Sequence, residues 1–361
     1  MPIRAGEMAH TRPTLADVAS AAQVSVSTAS LAFSGAGPIA AGTRDRVRAA
    51  ALALGYTGPN PLGRSLRSGR SGIVAVVIGD QLSRSFRDPV AIKVLDGLVG
   101  TLGTMGLGVL LVPGMPATNG TADLDPLLAS APMDVAVLVW GSRRADPVLA
   151  ALQRRGVPVV IGEGPAVDGV PLVGIADRQG TADLARYLTG LGHRRIGVVT
   201  LPFGGPRRNG FVDAARMEQL DWTPTRHRLE GLADAGVDPT AVVEAKASLV
   251  EEGQAAGRLL LDVDEPPTAV VAQSDLLAAG VLIAARDLGL RVPQDVSIAG
   301  FDGLDLPWMA PDVLTTVSQP LEAKGEALGR AVAKLLAGQV PPPVRLDVEL
   351  RIGTTTAPPR G

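Results

Sequence analysis

Seven short runs recur from Ile73 onward, and each is apolar almost without a break: IVAVVIG, GVLLV, DVAVLVW, VPVVIG, RIGVVTL, PTAVVAQ and DVSIAGF. Runs of this length, rich in β-branched residues and without polar alternation, read as strands buried on both faces, as in a parallel sheet covered by helices. Helical stretches lie between them, among them Val90 to Gly103, Gln179 to Leu191 and Asp275 to Leu288. Such alternation predicts doubly wound α/β domains. The pattern fills most of a 361-residue chain that is 46% hydrophobic, which is too long for one ordinary core and predicts two lobes. Ligands of these sheets bind outside the carboxyl ends of the strands.

The N-terminal segment has another pattern. Thr14 can cap a helix whose Leu15, Val18, Ala19 and Ala22 fall on one face, and after Ala22-Gln23-Val24 a second cap, Ser25, opens Val26 to Phe33. Two short helices a three-residue turn apart have helix-turn-helix spacing. A third helix is expected from Thr43, with Val47, Ala50, Ala51 and Leu54 inward and Gly55 as its stop. Ala29, Ala32 and Phe33 of the second helix then point inward, which leaves Val26, Ser27, Ser30 and Leu31 outward, where they would enter a major groove.

A small helical bundle with no DNA role fits any single pair of these helices. Three features together favour DNA: the tight turn, the outward face of small polar and apolar residues, and the charge. Residues 1–71 carry eight Arg and no Lys against Glu7, Asp17 and Asp45, a net +5, while the rest of the chain carries −7. A basic end suits a polyanion that the acidic body would repel. Hydroxyls can bond bases or phosphates, and Val and Leu can pack on thymine methyls.

Residues 58–70 read GPNPLGRSLRSGR. Asn60 is a good N-cap, Pro61 suits the first helical position and Gly69 is a good terminator, so the segment encodes a two-turn helix. Below about 12 residues, and with Gly63 inside it, that helix needs a partner to hold it. Arg64, Arg67 and Arg70 supply phosphate contacts, and Leu66 is the one large side chain able to wedge into a minor groove.

From Thr14 to about Pro358 the sequence resembles the lactose/galactose repressor family of bacterial regulators. The stretches TLADVASAAQVSVSTAS, TRDRVRAAALALGY, PNPLGRSLRSGRSG, GHRRIGVVT, GLRVPQDVSIAGFDG and LTTVSQP carry the resemblance. It implies that Ser25, Thr28, Ser30, Thr43, Tyr56 and Asn60 contact phosphates, that Val26, Ser27 and Leu31 read bases, and that Leu66 is the minor-groove leucine. Thr14, Leu15 and Arg64 complete the candidate DNA-binding set. Leu31 stands where many relatives carry Arg, Gln23 replaces the usual turn Gly, Ser34 replaces Asn, and Gly58 looks like a one-residue insertion. The resemblance also implies two periplasmic-binding-protein-like lobes with chain crossings near residues 174, 319 and 345.

The expected organisation is therefore a flexible arm over 1–13, an all-α helix-turn-helix DNA-binding domain over 14–58, and a hinge helix over 59–71. An effector-binding and dimerisation core spans 72–361, with lobe 1 at about 72–174 and 320–345 and lobe 2 at about 175–319 and 346–361. Candidate effector-binding groups stand where strands end: Asp80 and Phe86, Trp140, Ser274, Asp275 and Asp302, with Arg207 in a Gly/Pro-rich loop. For each of these an exposed loop charge is an equal alternative on the residues alone. The resemblance raises Asp302 and Arg207, and more weakly Ser274, Asp177 and Phe86, as contacts to effector hydroxyls. An Arg and an Asp among a few aromatics suit a sugar or a similar polar metabolite.

Enzyme signals are poor. There is no G-x-G-x-x-G, P-loop or H-E-x-x-H, no cysteine, and the three histidines lie far apart, with His193 read as structural. No cofactor and no metal are expected. The first thirteen residues lack the apolar run of a signal peptide and no membrane-length apolar stretch comes later, so a soluble cytoplasmic protein is expected. The reading is a homodimeric regulator, of the repressor type, that binds double-stranded operator DNA under control of a small effector. A solute-binding protein or a sugar-acting α/β enzyme on the same core is the alternative.

Overall fold

A computed structural model describes residues 13–34, 37–58, 69–114, 125–140 and 146–360. The expected arm up to residue 12 and most of the expected hinge, with Asn60, Arg64 and Leu66, lie outside these residues. The chain divides into two compact units, Met1–Ser71 and Gly72–Gly361.

In the first unit α1 spans Leu15–Ala21, α2 Val26–Ser34 and α3 Ala41–Leu54. Thr14 closes a capping box on α1: its hydroxyl accepts from the Asp17 N–H at 3.3 Å, and the Asp17 carboxylate accepts from the Thr14 N–H at 2.7 Å. The Ser25 hydroxyl caps α2 by accepting from the Thr28 N–H at 3.1 Å. Helix α3 starts two residues earlier than the expected Thr43, after Ala40, which offers no side-chain cap. It ends as expected at Gly55, whose φ of 66° suits glycine.

The core of this unit is built from small residues: Val18, Ala19, Ala22, Ala29, Ala32, Val47 and Ala51. Leu54, expected inside, is exposed. Its fourteen-residue helix outreaches α1 and α2, which have seven and nine residues, and at its end Ala51 still reaches the core while Leu54 does not. Tyr56 folds back edge-on against Phe33, with ring centroids 5.5 Å apart.

In the second unit, strands β1 (Ile73–Ile78), β2 (Gly108–Pro113), β3 (Val135–Val139), β4 (Val159–Gly162), β5 (Leu172–Ile175) and β12 (Val344–Leu346) form a parallel sheet in the order β12-β5-β4-β3-β1-β2. Strands β6 (Ile196–Thr200), β7 (Gly210–Phe211), β8 (Ala241–Glu244), β9 (Ala269–Ala272), β10 (Ser297–Asp302), β11 (Thr315–Ser318) and β13 (Glu349–Arg351) form the other, in the order β13-β11-β10-β9-β6-β8-β7. Only its edge strands β7 and β13 run antiparallel among the described residues.

Helices α4 (Leu82–Ser85), α5 (Pro89–Thr104), α6 (Pro126–Ser130), α7 (Pro147–Arg154) and α13 (Leu321–Leu336) belong to the first sheet. Helices α8 (Asp177–Gly190), α9 (Ala214–Met217), α10 (Thr223–Asp234), α11 (Val250–Leu261) and α12 (Asp275–Asp287) belong to the second. The chain thus passes between lobes after β5, after β11 and after β12. Each lobe has at least one helix pair packed backbone to backbone. A Cβ on Gly325 of α13 would lie 2.1 Å from the Val94 carbonyl oxygen of α5, and one on Gly280 of α12 would lie 2.1 Å from that of Val250 on α11. No larger residue fits at either crossing.

Candidate DNA-reading face and interlobe cleft

Helix α2 has two faces of different character. Ala29 and Ala32 are buried, whereas Val26 and Leu31 are 51% and 37% exposed, Ser27 is exposed and Ser30 half-buried. Apolar side chains left in water beside hydroxyls on one short helix suit a groove that carries both thymine methyls and hydrogen-bonding edges. The Ser25 hydroxyl also lies 2.8 Å from that of Thr28 and 3.2 Å from that of Ser27, forming a small hydroxyl cluster at the helix N-terminus. Thr14 is exposed at the start of α1. Leu15, Thr43 and Tyr56 are half-buried, and Leu15 packs against the small core, which leaves less of it free for a ligand. Gln23, in the turn before α2, adopts a φ of 53°, a conformation glycine takes more readily.

The second site is a cleft of about 810 Å³, its open mouth included, between the two lobes. Asp80 follows β1, Trp140 follows β3, Glu163 follows β4, Ser274 follows β9, Asp302 ends β10 and Gln319 follows β11, and all of them line it. This is where parallel sheets present ligand-binding groups. Among the described residues, the non-glycine positions with left-handed φ are Gln23, Trp140, Glu163 and Asp302, at 53°, 51°, 55° and 125°. Three of these four line the cleft, and backbone strain of this kind concentrates at ligand sites.

Asp80 of lobe 1 faces Arg207 of lobe 2, with Nη1 2.8 Å from Oδ2, and the same guanidinium stacks 5.0 Å from the Trp222 ring centre. This contact spans the cleft and ties the lobes together. Asp302 accepts from Gln319 Nε2 at 2.7 Å. Its carboxyl is raised well above the ordinary range, first by burial and then by the neighbouring Asp275 and Asp88, against the opposing pull of Arg228. Ser274 caps α12 and accepts from the Ser248 hydroxyl at 3.0 Å.

Arg207 meets Asp80 without lining the cleft wall itself, and three further expected effector contacts lie elsewhere. Phe86 is 52% exposed beyond α4 and lines no wall of the cleft. Asp177 sits in a neighbouring cavity, 3.0 Å from His227 Nδ1, because it opens α8 behind the first crossing. Asp275 is fully buried beneath the floor, where it accepts from the Thr316 hydroxyl and the Leu304 N–H, and burial pushes it up to about 7.

Sequence reasoning missed several lining groups. Arg228 sits inside α10, with its guanidinium 3.7 Å from the Phe301 ring centre and one arm donating to the Gln273 carbonyl. In a sequence it reads as one more charge on a polar helix. Glu163, Gln319 and Trp222 also went unnoticed, because nothing local separates them from loop residues. The position at a strand end was the usable signal, and it points to Glu163 after VPVVIG as directly as to Trp140 after DVAVLV.

A helix-turn-helix unit followed by a two-lobe unit of periplasmic-binding type defines a DNA-binding transcriptional regulator. The family model for bacterial regulatory proteins of the lacI family matches residues 14–60, and that for a periplasmic binding protein-like domain matches residues 185–356. An HTH-type transcriptional regulator of Mycobacterium tuberculosis is 35% identical over 355 residues, covering 96% of this chain and 98% of its own. The structure of the transcriptional regulator CelR in complex with cellobiose aligns over 96% of this chain and 100% of its own, with a TM-score of 0.66 and 27% identity. The Lac repressor dimer bound to operator shares the fold, with a TM-score of 0.79 and 22% identity over 96% of this chain and all of its own. The chain belongs to the lacI family of bacterial regulatory proteins, a family of transcriptional regulators and not of enzymes. No helix among the described residues is long and apolar enough to cross a membrane.

Proposed function

We propose that the protein is a cytoplasmic homodimeric repressor whose headpieces hold a pseudo-palindromic operator and whose affinity for it changes when a sugar or similar polar metabolite fills the interlobe cleft. The observation that carries this reading is the cleft itself: a buried carboxylate from each lobe at the strand ends, Glu163 and Asp302, with the Arg228 guanidinium of α10 and the indoles of Trp140 and Trp222 in the same lining. Carboxylates accept from hydroxyls, the guanidinium donates to them and the indoles cover the sugar ring's apolar face. A relative in complex with cellobiose and another bound to operator as a dimer support the ligand class and the assembly.

In this reading Val26, Ser27 and Leu31 read base edges. Ser25, Thr28, Ser30, Thr43, Tyr56, Asn60 and Arg64 hold phosphates, with Thr14 and Leu15 beside them, and Leu66 wedges into the minor groove. The arm covers 1–13, the DNA-binding domain 14–58 and the hinge 59–71. Lobe 1 takes 72–174 and 320–345, and lobe 2 takes 175–319 and 346–361. The cross-cleft pair Arg207–Asp80 is the contact through which lobe closure and effector occupancy meet.

Genomic footprinting supplies the operator, and a mobility-shift titration of the full chain with sugars and nucleosides then tests the switch. Arg207→Ala and Asp302→Ala should each weaken the effector response about ten- to hundred-fold, the worth of a hydrogen bond to a charged group. If no such ligand changes operator affinity, the cleft is not an effector site.

A further inference from the structure

Lys324, in the first turn of α13, is 1% exposed and lies beneath the cleft rather than in its wall. Burying an ammonium is costly unless it is paired and hydrogen-bonded, and a methionine would fill the same space. Its Nζ lies 2.7 Å from Glu163 Oε2 and 2.6 Å from Gln319 Oε1. Lysine only donates, so the Gln319 carbonyl must face it, and the Gln319 amide nitrogen is left to donate to Asp302 Oδ1 at 2.7 Å. Trp140 Nε1 donates to the same Glu163 oxygen at 3.1 Å. One buried charge thus fixes polar groups on both sides of the cleft floor.

Two atoms in this arrangement have no hydrogen-bond partner among the described residues. Glu163 Oε1 and Arg228 Nε are both buried, on residues at least nine-tenths buried that line the cleft. One is an acceptor on a carboxylate and the other a donor. Unpaired buried groups of this kind lose their hydration without compensation, and a bound molecule restores it.

We propose that Lys324 is a positioning and specificity-determining residue: it holds Glu163 as a carboxylate whose free oxygen takes a hydroxyl or amino donor of the effector, so that the cleft selects neutral polyhydroxylated ligands over their phosphate esters. The proposal rests on the effector reading of the cleft. Burial alone would raise the Glu163 carboxyl, but the charges of Lys324 and Arg228 more than offset it and leave it below its ordinary value. A phosphate placed against that anion finds repulsion where a hydroxyl finds an acceptor.

The test measures ligand-induced melting shifts and affinities of the full chain with glucose, galactose, ribose, cellobiose and cytidine, and with glucose 6-phosphate and cytidine monophosphate. The variants are Lys324→Met, Lys324→Arg, Glu163→Gln and the charge-balanced pair E163Q/K324M. Wild type should bind a neutral member, and E163Q/K324M should bind it about ten- to hundred-fold more weakly. Lys324→Met should add a proton release to binding, with affinity recovering as the pH rises and Glu163 ionises. The flanking groups Asp88, Asp275, Asp302 and Arg228 are common to all variants, so E163Q/K324M should lack that added step, and Lys324→Arg should restore the wild-type profile in part.

Equal binding by wild type and the double variant, or a preference for the phosphate esters, overturns the role of Lys324 and leaves the effector reading standing. No melting shift and no operator release with any member sinks the effector reading, and the proposal with it.

Discussion

In the headpiece the candidate ligand-contacting side chains lie on the nine-residue α2 and its cap, exposed or half-buried, and none of Ser25, Val26, Ser27, Thr28, Ser30 and Leu31 is charged. In the two-lobe unit they come from strand ends as far apart in sequence as Asp80 and Gln319, and Glu163, Ser274, Asp302 and Gln319 among them are buried. The difference arises from the partner each site meets. A groove in DNA brings its own charge and hydration, so a reading face needs only shape and a few hydroxyls on a basic module. A closed cleft must replace a ligand's water, so it needs ionised groups, and those need buried partners such as Lys324 and Gln319 to hold them.

The largest effect expected from this contrast is on operator binding. A chain that begins at Gly72 keeps the unit with net charge −7 and loses the one with +5, and should lose specific operator affinity by at least about a thousandfold, the usual gap between specific and non-specific binding. Full-length binding should also fall steeply with added salt as phosphate counterions are released. Retained operator binding by the shortened chain in a mobility-shift assay would break the division of labour between the two units.

The next effect is on stability and belongs to lobe 2. Arg216 and Glu244 are 5% and 0% exposed and form a two-pronged pair, with Nε–Oε2 and Nη2–Oε1 both at 2.7 Å. Arg216→Met removes both prongs and leaves the buried Glu244 only the Phe203 N–H at 3.0 Å and the Arg208 guanidinium at 3.8 Å, and should cost about 3 kcal/mol in denaturant unfolding of that unit, the low end for breaking a buried pair. Glu244→Gln added to it should recover part of the loss. A cost below about 1 kcal/mol would mean that lobe 2 does not depend on paired burial as the cleft argument requires.

The same contrast explains how much could be read in advance. The apolar runs announced β1, β3, β4, β6, β9 and β10 because strands buried on both faces leave no other pattern, and the same kind of run announced β2, an edge strand that is largely half-buried. The edge strands β12 and β13, VRL and ELR, carry one or two apolar residues each and are partly exposed, so hydrophobicity could not mark them. On α2 the inward Ala29 and Ala32 and the outward Val26 and Leu31 follow from helical spacing alone. The Glu163–Lys324–Gln319–Asp302 chain joins residues up to 161 positions apart, and no local period encodes it. Lys324 in particular lies in an amphipathic helix that reads EAKGEALGRAVAK, where a lysine looks like a solvated charge.

Carboxylates at helix N-termini sharpen the comparison further, because the two units shift them in opposite directions. Hydrogen bonds from the Thr14 backbone and hydroxyl lower the exposed Asp17 below its ordinary value. Burial raises Asp88, the N-cap of α5, to about 6, against the opposing hydrogen bonds from Val90 and Ser248. For Asp17 the stabilisation is present above the unfolded value near 3.8 and is lost as the pH falls through the folded one. For Asp88 the folded state holds the proton more tightly than the unfolded chain, so stability falls as the pH rises from about 4 to about 6 and stays lower beyond. Asp88→Asn keeps an N-cap and should flatten that slope. The measurement is unfolding free energy of wild type and variant across this range, and a difference between them independent of pH would refute the assignment.

The smallest effect concerns the turn of the headpiece, where strain serves folding rather than a ligand. Gln23 holds a φ of 53° between α1 and α2, while Trp140, Glu163 and Asp302 hold comparable strain in the cleft wall. A left-handed residue other than glycine costs roughly 1–2 kcal/mol, and glycine relieves this while giving back part of it through the freer unfolded chain. Gln23→Gly should therefore stabilise the headpiece by a few tenths to about 1 kcal/mol. The Val24 N–H bond to the Ala19 carbonyl, at 3.0 Å, holds the register of the turn and does not involve the glutamine side chain, so the register of Val26 and Ser27 on α2 should survive. At Asp302 the same replacement relieves strain too, but it removes the carboxylate that the cleft holds in place, so any gain in stability should come with loss of effector binding. Thermal unfolding of the two variants beside their binding curves separates the cases. A destabilised Gln23→Gly would show that the glutamine side chain, and not the backbone angle, is what the turn requires.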